Sequence, residues 1–117
     1  MKELKIDTET TASGVRIIRL AGPLTLNTMF EFQDLVRADG DAATVIELSG
    51  VPYMDSAGLG AILGTLASCQ RKGRGFGITG ATERIQTLFT VAGVEGLIPA
   101  FGSVELAERQ LANAASA

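Results

Sequence analysis

The chain contains no histidine and only one cysteine. Without histidine the commonest general base and metal ligand is missing, so a Ser-His-Asp triad, a Cys-His pair or a histidine-containing zinc site cannot be built from this chain alone. One cysteine rules out an internal disulfide. Cys69 falls on the apolar side of a helical pattern with Ile62 and Leu66, where it reads as a small buried hydrophobe rather than a nucleophile. No Gly-Lys-Ser/Thr sequence is present, which excludes a Walker-type phosphate loop. Gly58-Leu59-Gly60 is followed by Gly64 and not by a glycine at position 63, so the dinucleotide fingerprint is unmet. Gly73-Arg74-Gly75-Phe76-Gly77 reads as a flexible turn, not a phosphate cradle. No cofactor, no metal and no enzymatic activity is expected.

Concentrated positive charge is also lacking. The formal net charge is -3, and Arg16, Arg19, Arg37, Arg84 and Arg109 are scattered. Direct nucleic-acid binding needs a basic face that releases counterions from phosphates, and this balance argues against it. The one basic cluster, Arg71, Lys72 and Arg74, reads as a solvated helix C-terminus, where cations complement the macrodipole. The longest uncharged run, Ser56 to Gln70, is shorter than the roughly 20 apolar residues of a membrane span and holds three glycines, so no membrane insertion is expected. Met1-Lys2-Glu3-Leu4-Lys5 mixes both charge signs and has no apolar core segment, so no secretory signal is read there and a cytoplasmic location is the expectation.

What is present is one domain's worth of foldable chain: 117 residues, 46% hydrophobic and 20% charged. The expected domain spans residues 1–117, with an ordered core over about 3–111 and an Ala-rich tail after Leu111. Leu4 to Thr10 alternates and Val15 to Leu20 is strand-like, and Ser13-Gly14 between them makes a hairpin. The period then becomes helical. Thr28 and Glu31 form a capping-box signature, Phe32, Leu35 and Val36 repeat at helical spacing, and Gly40 supplies a stop. Ala43 to Leu48 suits a strand covered on both faces. A second helix begins near Ser56, carries Leu59, Ile62, Leu63 and Leu66 on one face, and ends in the glycine-rich stretch 73–75. Phe76 to Thr79 forms a further strand. Thr82 caps a third helix with an Ile85, Leu88 and Phe89 stripe that ends at Gly93; Leu97 to Phe101 makes a last strand, and Ser103 caps a fourth helix toward Leu111. The order predicts an α/β domain with a mixed sheet, an N-terminal hairpin followed by β-α units, and about four helices.

The segment Met54-Asp55-Ser56-Ala57-Gly58-Leu59-Gly60 lies between the end of a central strand and the start of a helix, where open α/β sheets place functional sites. On position alone, Ser56 is explained as a helix cap that accepts a backbone N–H, with the glycines permitting close packing of helix against sheet. The functional reading is that a phosphoryl group on Ser56 would meet unpaired N–H groups and the positive end of the helix dipole. Beside Asp55, its added charge would repel an acidic or apolar partner. Tyr53, Met54, Leu97 and Ile98 are candidates for a mixture of edge-of-core packing and a partner-binding patch. An enzyme using Asp55 as base and Ser56 as nucleophile is disfavoured, because aspartate is a weak base for serine and no third orienting group is evident.

The run Ile46 to Gly60 closely resembles the signature of STAS domains, in particular the bacterial anti-sigma factor antagonists. Gly22-Pro23-Leu24, Arg84 to Phe89 and Ala92-Gly93-Val94 extend the resemblance over most of the chain. The resemblance implies a single STAS domain and partner switching. In that scheme the unphosphorylated protein binds an anti-sigma factor that is also a serine kinase, which frees a sigma factor. Phosphorylation of the serine matching Ser56 then dissolves the complex, and a serine phosphatase restores it. The contact segment implied is Tyr53, Met54, Asp55, Ser56, Ala57, Gly58 and Leu59. Thr25 stands where the family usually has an acidic residue, and Glu47 where it usually has aspartate. Related domains also serve as subunits of lipid-transporting ABC complexes or as stress-signalling scaffolds, which keeps a second partner class open.

Overall fold

A computed structural model describes residues 3–38 and 42–116. The elements are β1 (Lys5–Thr10), β2 (Val15–Ala21), α1 (Met29–Ala38), β3 (Ala43–Gly50), α2 (Ser56–Arg71), β4 (Phe76–Thr79), α3 (Glu83–Val91), a 3-10 turn (Glu95–Leu97), β5 (Ala100–Phe101) and α4 (Val104–Ser116). The five strands lie in sequence order, with β1 antiparallel to β2 and all later neighbours parallel. This is the α/β domain with a mixed sheet and four helices that the alternation predicts. The hairpin closes where expected: Gly14 takes φ +84, the left-handed region open to glycine, and its N–H donates to the Thr11 carbonyl at 2.9 Å.

Side chains that alternate along the strands divide the interior in two. Ile18, Leu20, Ile46, Leu48, Phe76 and Ile78 point to one face, where Phe32 of α1, Leu59, Ile62 and Leu66 of α2, and Ile85 and Phe89 of α3 cover them. Val15, Ile17, Ala43 and Val45 point to the other and are covered by Ala107 and Leu111 of α4, with Phe101 of β5 packed beside them. β3, central and buried on both faces, therefore reads as a continuous apolar run, as a parallel strand between helical layers must.

Several elements differ from expectation. The last strand is only Ala100–Phe101, because residues 95–97 wind into the 3-10 turn and Pro99, which has no N–H, offers the sheet only its carbonyl, accepting from the Ile78 N–H at 2.9 Å. α4 continues past Leu111 through the Ala-rich stretch to Ser116, in keeping with alanine's high helix propensity. α2 ends at Arg71, before the glycine-rich stretch, with Lys72 as its cap; Arg71, Lys72 and Arg74 are exposed, as expected of a solvated helix end. Thr28 does not build a capping box with Glu31. Its hydroxyl accepts from the Thr25 N–H at 2.9 Å and donates to the Pro23 carbonyl at 2.8 Å, so it braces the loop before α1. Thr82 and Ser103 do cap α3 and α4, accepting from Ile85 N–H (3.3 Å) and Leu106 N–H (3.1 Å). The expected stop at Gly40 lies outside the described residues.

A buried cation serves the C-terminal end of α1. Arg16 is 3% exposed, and its guanidinium donates to the Leu35 and Val36 carbonyls and, at 3.3 Å, to the Thr44 hydroxyl. A charge-assisted bond to the last carbonyls satisfies groups the helix cannot pair itself and complements the dipole. Cys69 is buried, with its thiol pKa pushed up chiefly by that burial and partly held down by Thr44 and Arg16. It is the small hydrophobe that the spacing implied.

Phe32 is the one side chain of α1 that is buried outright. Phe32→Ala is expected to cost about 3–5 kcal/mol in urea unfolding, as deletions of a fully buried aromatic do, and to release α1 amides to hydrogen exchange first. A loss under about 1 kcal/mol would show that α1 is held by something else.

Candidate functional site

The site forms where the chain leaves β3 and enters α2. Val51 to Met54 run across the sheet end, and the Met54 and Leu24 backbones pair as an isolated parallel bridge. The Leu24 N–H donates to the Tyr53 carbonyl at 3.2 Å and the Asp55 N–H to the Leu24 carbonyl at 3.3 Å. The loop between β2 and α1 thus lies against the start of α2. Gly58 makes the approach possible: a methyl group there would collide with the Leu24 carbonyl oxygen. Gly60 and Gly64 face open space, so close packing needs glycine at 58 and not at the other two positions.

Asp55, not Ser56, caps α2. One carboxylate oxygen accepts the Gly58 N–H at 2.9 Å and the other the Leu26 N–H at 3.1 Å. The first bond satisfies an orphan donor of the helix, and the second fastens the Leu24–Leu26 loop to it. These bonds, led by that from Gly58, hold the Asp55 pKa below the ordinary carboxylate value against the opposing effect of burial. A carboxylate so engaged is a weaker base than a free one.

With the cap supplied by its neighbour, Ser56 occupies the first position of α2 and is exposed. It stands among the first-turn N–H groups that have no partner within the helix. Around it are the half-buried Asp55 and Ala57 and the exposed Tyr53, whereas Met54, Gly58 and Leu59 are buried. The sequence-predicted segment therefore splits into residues a partner can touch and residues that hold those in place. Leu26, whose N–H is bonded to Asp55, is 57% exposed and adds apolar surface; Phe30, in the first turn of α1, is exposed to the same extent. Tyr53 forms the wall between two clefts. One, of about 790 Å³, runs toward Thr25, Asn27 and Glu31. The other, of about 290 Å³, runs along Arg84, Leu88 and Val91 of α3. The Arg84 guanidinium lies over the Tyr53 ring, 5.5 Å from its centroid.

The STAS domain family model matches residues 5–107. The chain belongs to the STAS domain family. It is 33% identical over 98 residues to the anti-sigma-B factor antagonist of Staphylococcus aureus (strain NCTC 8325 / PS 47), an alignment covering 81% of this chain and 90% of that protein. Among solved structures, an anti-sigma factor antagonist from Mycobacterium paratuberculosis superposes with a TM-score of 0.79 at 21% identity, over 93% of this chain and 94% of its own. The Bacillus cell fate determinant SpoIIAA in its phosphorylated form does so at 0.71 and 16% identity, over 91% and 99%. These likenesses confirm the STAS fold. Among the described residues, no helix is long and apolar enough to cross a membrane.

Glu47 and Thr25, the two positions that the sequence reading set apart, each take a local role. Glu47 turns back on its own strand end, accepting from the Ser49 hydroxyl at 2.7 Å and the Ser49 N–H at 3.2 Å. Thr25 contributes its carbonyl, which accepts the Met29 N–H at 2.8 Å at the start of α1. Of the other apolar candidates, Ile98 is a core residue like Met54, and Leu97 is 61% exposed on the 3-10 turn. Leu26, Phe30 and Arg84 were not singled out from the sequence. The available signal was that Leu26 and Phe30 are apolar residues outside the Phe32, Leu35 and Val36 stripe.

Asp55→Ala is expected to cost about 1–2 kcal/mol at neutral pH, the range for loss of a helix cap. Because the folded-state pKa is depressed, the carboxylate's contribution is complete above its ordinary value of 3.8 and is lost as the pH falls through the lower folded value. The difference in urea stability between wild type and Asp55→Ala should therefore shrink from pH 7 to pH 3. An equal difference at both would show that the ionised carboxylate is not what stabilises the joint.

Proposed function

We propose that this chain is an anti-sigma factor antagonist whose unphosphorylated form docks on an anti-sigma factor that is also a serine kinase, releasing a sigma factor. Phosphorylation of Ser56 ends the complex, and a serine phosphatase restores it. The observation that carries the reading is the exposed Ser56 at the first position of α2, relieved of capping duty by Asp55, with the exposed Leu26 fastened to that same Asp55 and the exposed Tyr53 three residues before Ser56. The name of the Staphylococcus aureus relative and the phosphorylated state of the SpoIIAA structure support it.

The physical logic is a surface whose charge changes while its shape does not. A phosphoryl group on Ser56 would face first-turn N–H groups and the positive end of the helix dipole, so the domain can carry it folded. It would add about -1.5 to -2 of charge at neutral pH next to a carboxylate that is already ionised. A partner pressed on Leu26, Phe30 and Tyr53 would then have to desolvate that charge or be repelled by it. On this reading the chain is substrate and ligand, and the kinase supplies the catalysis.

Ser56→Asp is expected to melt like the wild type but to weaken the complex with the anti-sigma factor by roughly 10-fold or more, whereas Ser56→Ala should bind and resist release by ATP. Undiminished binding by Ser56→Asp in calorimetry would remove charge at this position as the switch, and capture of a transporter ATPase in place of a kinase would overturn the assignment of partner. Phe30→Ala should lower affinity by about 1–2 kcal/mol with little change in stability, since more than half of the ring already faces water. Unchanged affinity in that variant would place the docking surface elsewhere.

A further inference from the structure

A cleft of about 290 Å³ lies between α1 and α2, toward the C-terminal end of each. It is apart from the Ser56 surface, since Ser56 begins α2 and Arg71 ends it, a separation of roughly 20 Å along the helix axis. Arg37, from the last turn of α1, and Arg71, from the last turn of α2, both line the cleft. Both are exposed, and neither makes a hydrogen bond or an ion pair among the described residues. Lys72 also lines it, and no aspartate or glutamate is among the described residues of its walls.

Cations at a helix C-terminus ordinarily serve its last carbonyls. Here other donors reach them. The Leu35 and Val36 carbonyls accept from Arg16, and the Ser68, Cys69 and Gln70 carbonyls accept the backbone N–H groups of Lys72, Gly73 and Arg74. Arg37 and Arg71 are left as two like charges on one cleft, which an anion between them would stabilise. The half-buried Ser68 hydroxyl stands on the same wall with its hydrogen-bonding capacity unused.

Gly64 contributes room. It lines the cleft from within α2, is exposed, and would place an added Cβ more than 4 Å from any neighbour. A glycine inside a helix weakens it relative to alanine, and neither packing nor a positive φ calls for one at this position. Two guanidinium forks on facing helices also select among anions. A carboxylate can fill one fork, whereas a phosphoryl group has charge and oxygens enough for both.

We propose that this cleft binds a phosphate monoester, its phosphoryl group held between Arg37 and Arg71 with Ser68 as a further donor, over the space that Gly64 leaves. The site uses no residue of the Ser56 surface and stands whether or not that surface binds a kinase.

Titration of the full chain with glycerol phosphate at fixed ionic strength, followed by amide nitrogen-proton spectra, tests this. Saturable shifts are expected at Val36, Arg37, Gly64 and Ser68 and not at Ser56 or Ala57, and acetate should not reproduce them. Arg37→Gln and Arg71→Gln should each weaken binding about 10-fold, as loss of a charge-assisted bond does. Their melting temperatures should change little, because both side chains face water. Gly64→Leu keeps every charge and favours the helix, yet should abolish binding by filling the cleft. If the chain also pellets with phosphatidylcholine vesicles that contain phosphatidic acid, and Gly64→Leu does not, the monoester is a lipid headgroup. Saturable glycerol phosphate binding without pelleting makes it a soluble molecule. Failure to saturate, equal shifts with acetate, or undiminished affinity in Gly64→Leu would overturn the proposal and reduce the effect to diffuse attraction by surface charge.

Discussion

The two bonds accepted by the Asp55 carboxylate, one from the helix it begins and one from the loop after β2, set the geometry on which the exposed face depends. Each joins parts of the chain that the sheet does not itself connect. The Gly58 bond starts α2 at a fixed residue, and the Leu26 bond draws the Leu24–Leu26 loop over it, so Leu24 can pack inside while Leu26 is left facing water. The close approach of that loop would not be possible with a side chain at position 58, where a Cβ would meet the Leu24 carbonyl. Asp55 and Gly58 act as one device: the carboxylate supplies the attraction and the missing Cβ supplies the room.

Arg16 makes the comparable joint at the opposite end of the sheet. It lies in β2, buried beneath α1, and reaches the carbonyls of the last turn of α1 and the Thr44 hydroxyl in β3. A charge so deep in the interior is tolerated because its donors meet carbonyl oxygens that would themselves lack partners. α1 is therefore fixed at its centre by Phe32, at its start by the loop that Thr28 braces, and at its end by Arg16. The first turn of α1 stands beside Tyr53 across the larger cleft, so the same anchors set how Phe30 is presented.

Much of the fold was legible because hydrophobic periods report directly on which faces are covered. The Phe32, Leu35 and Val36 stripe, the unbroken apolar run of β3, and Ile85 with Phe89 each found the layer their spacing implied. Misreadings occurred where one polar side chain had two possible jobs. Ser56 and Asp55 are both good caps, and the helix begins at Ser56, so the extended residue before it, Asp55, is the one whose side chain meets the Gly58 N–H. Thr28 followed by Glu31 is a capping pattern, yet the loop carbonyl of Pro23 and N–H of Thr25 lie closer to the threonine hydroxyl. Met54 and Ile98 look like surface candidates beside polar loop residues, but each turns inward as its strand end meets a helix. Arg16, one scattered cation in the sequence, becomes a helix anchor only once β2 and α1 are stacked.

Tyr53 carries a consequence of another kind. It is the chain's only tyrosine, and there is no tryptophan. The absorbance and emission of this protein near 280–300 nm therefore come from a single ring, which sits under a guanidinium between two clefts and next to the first residue of α2. The molecule has its own optical probe at this spot, and any event that moves Arg84, covers the ring or places new charge beside it is recorded there without a label and without interference from the core.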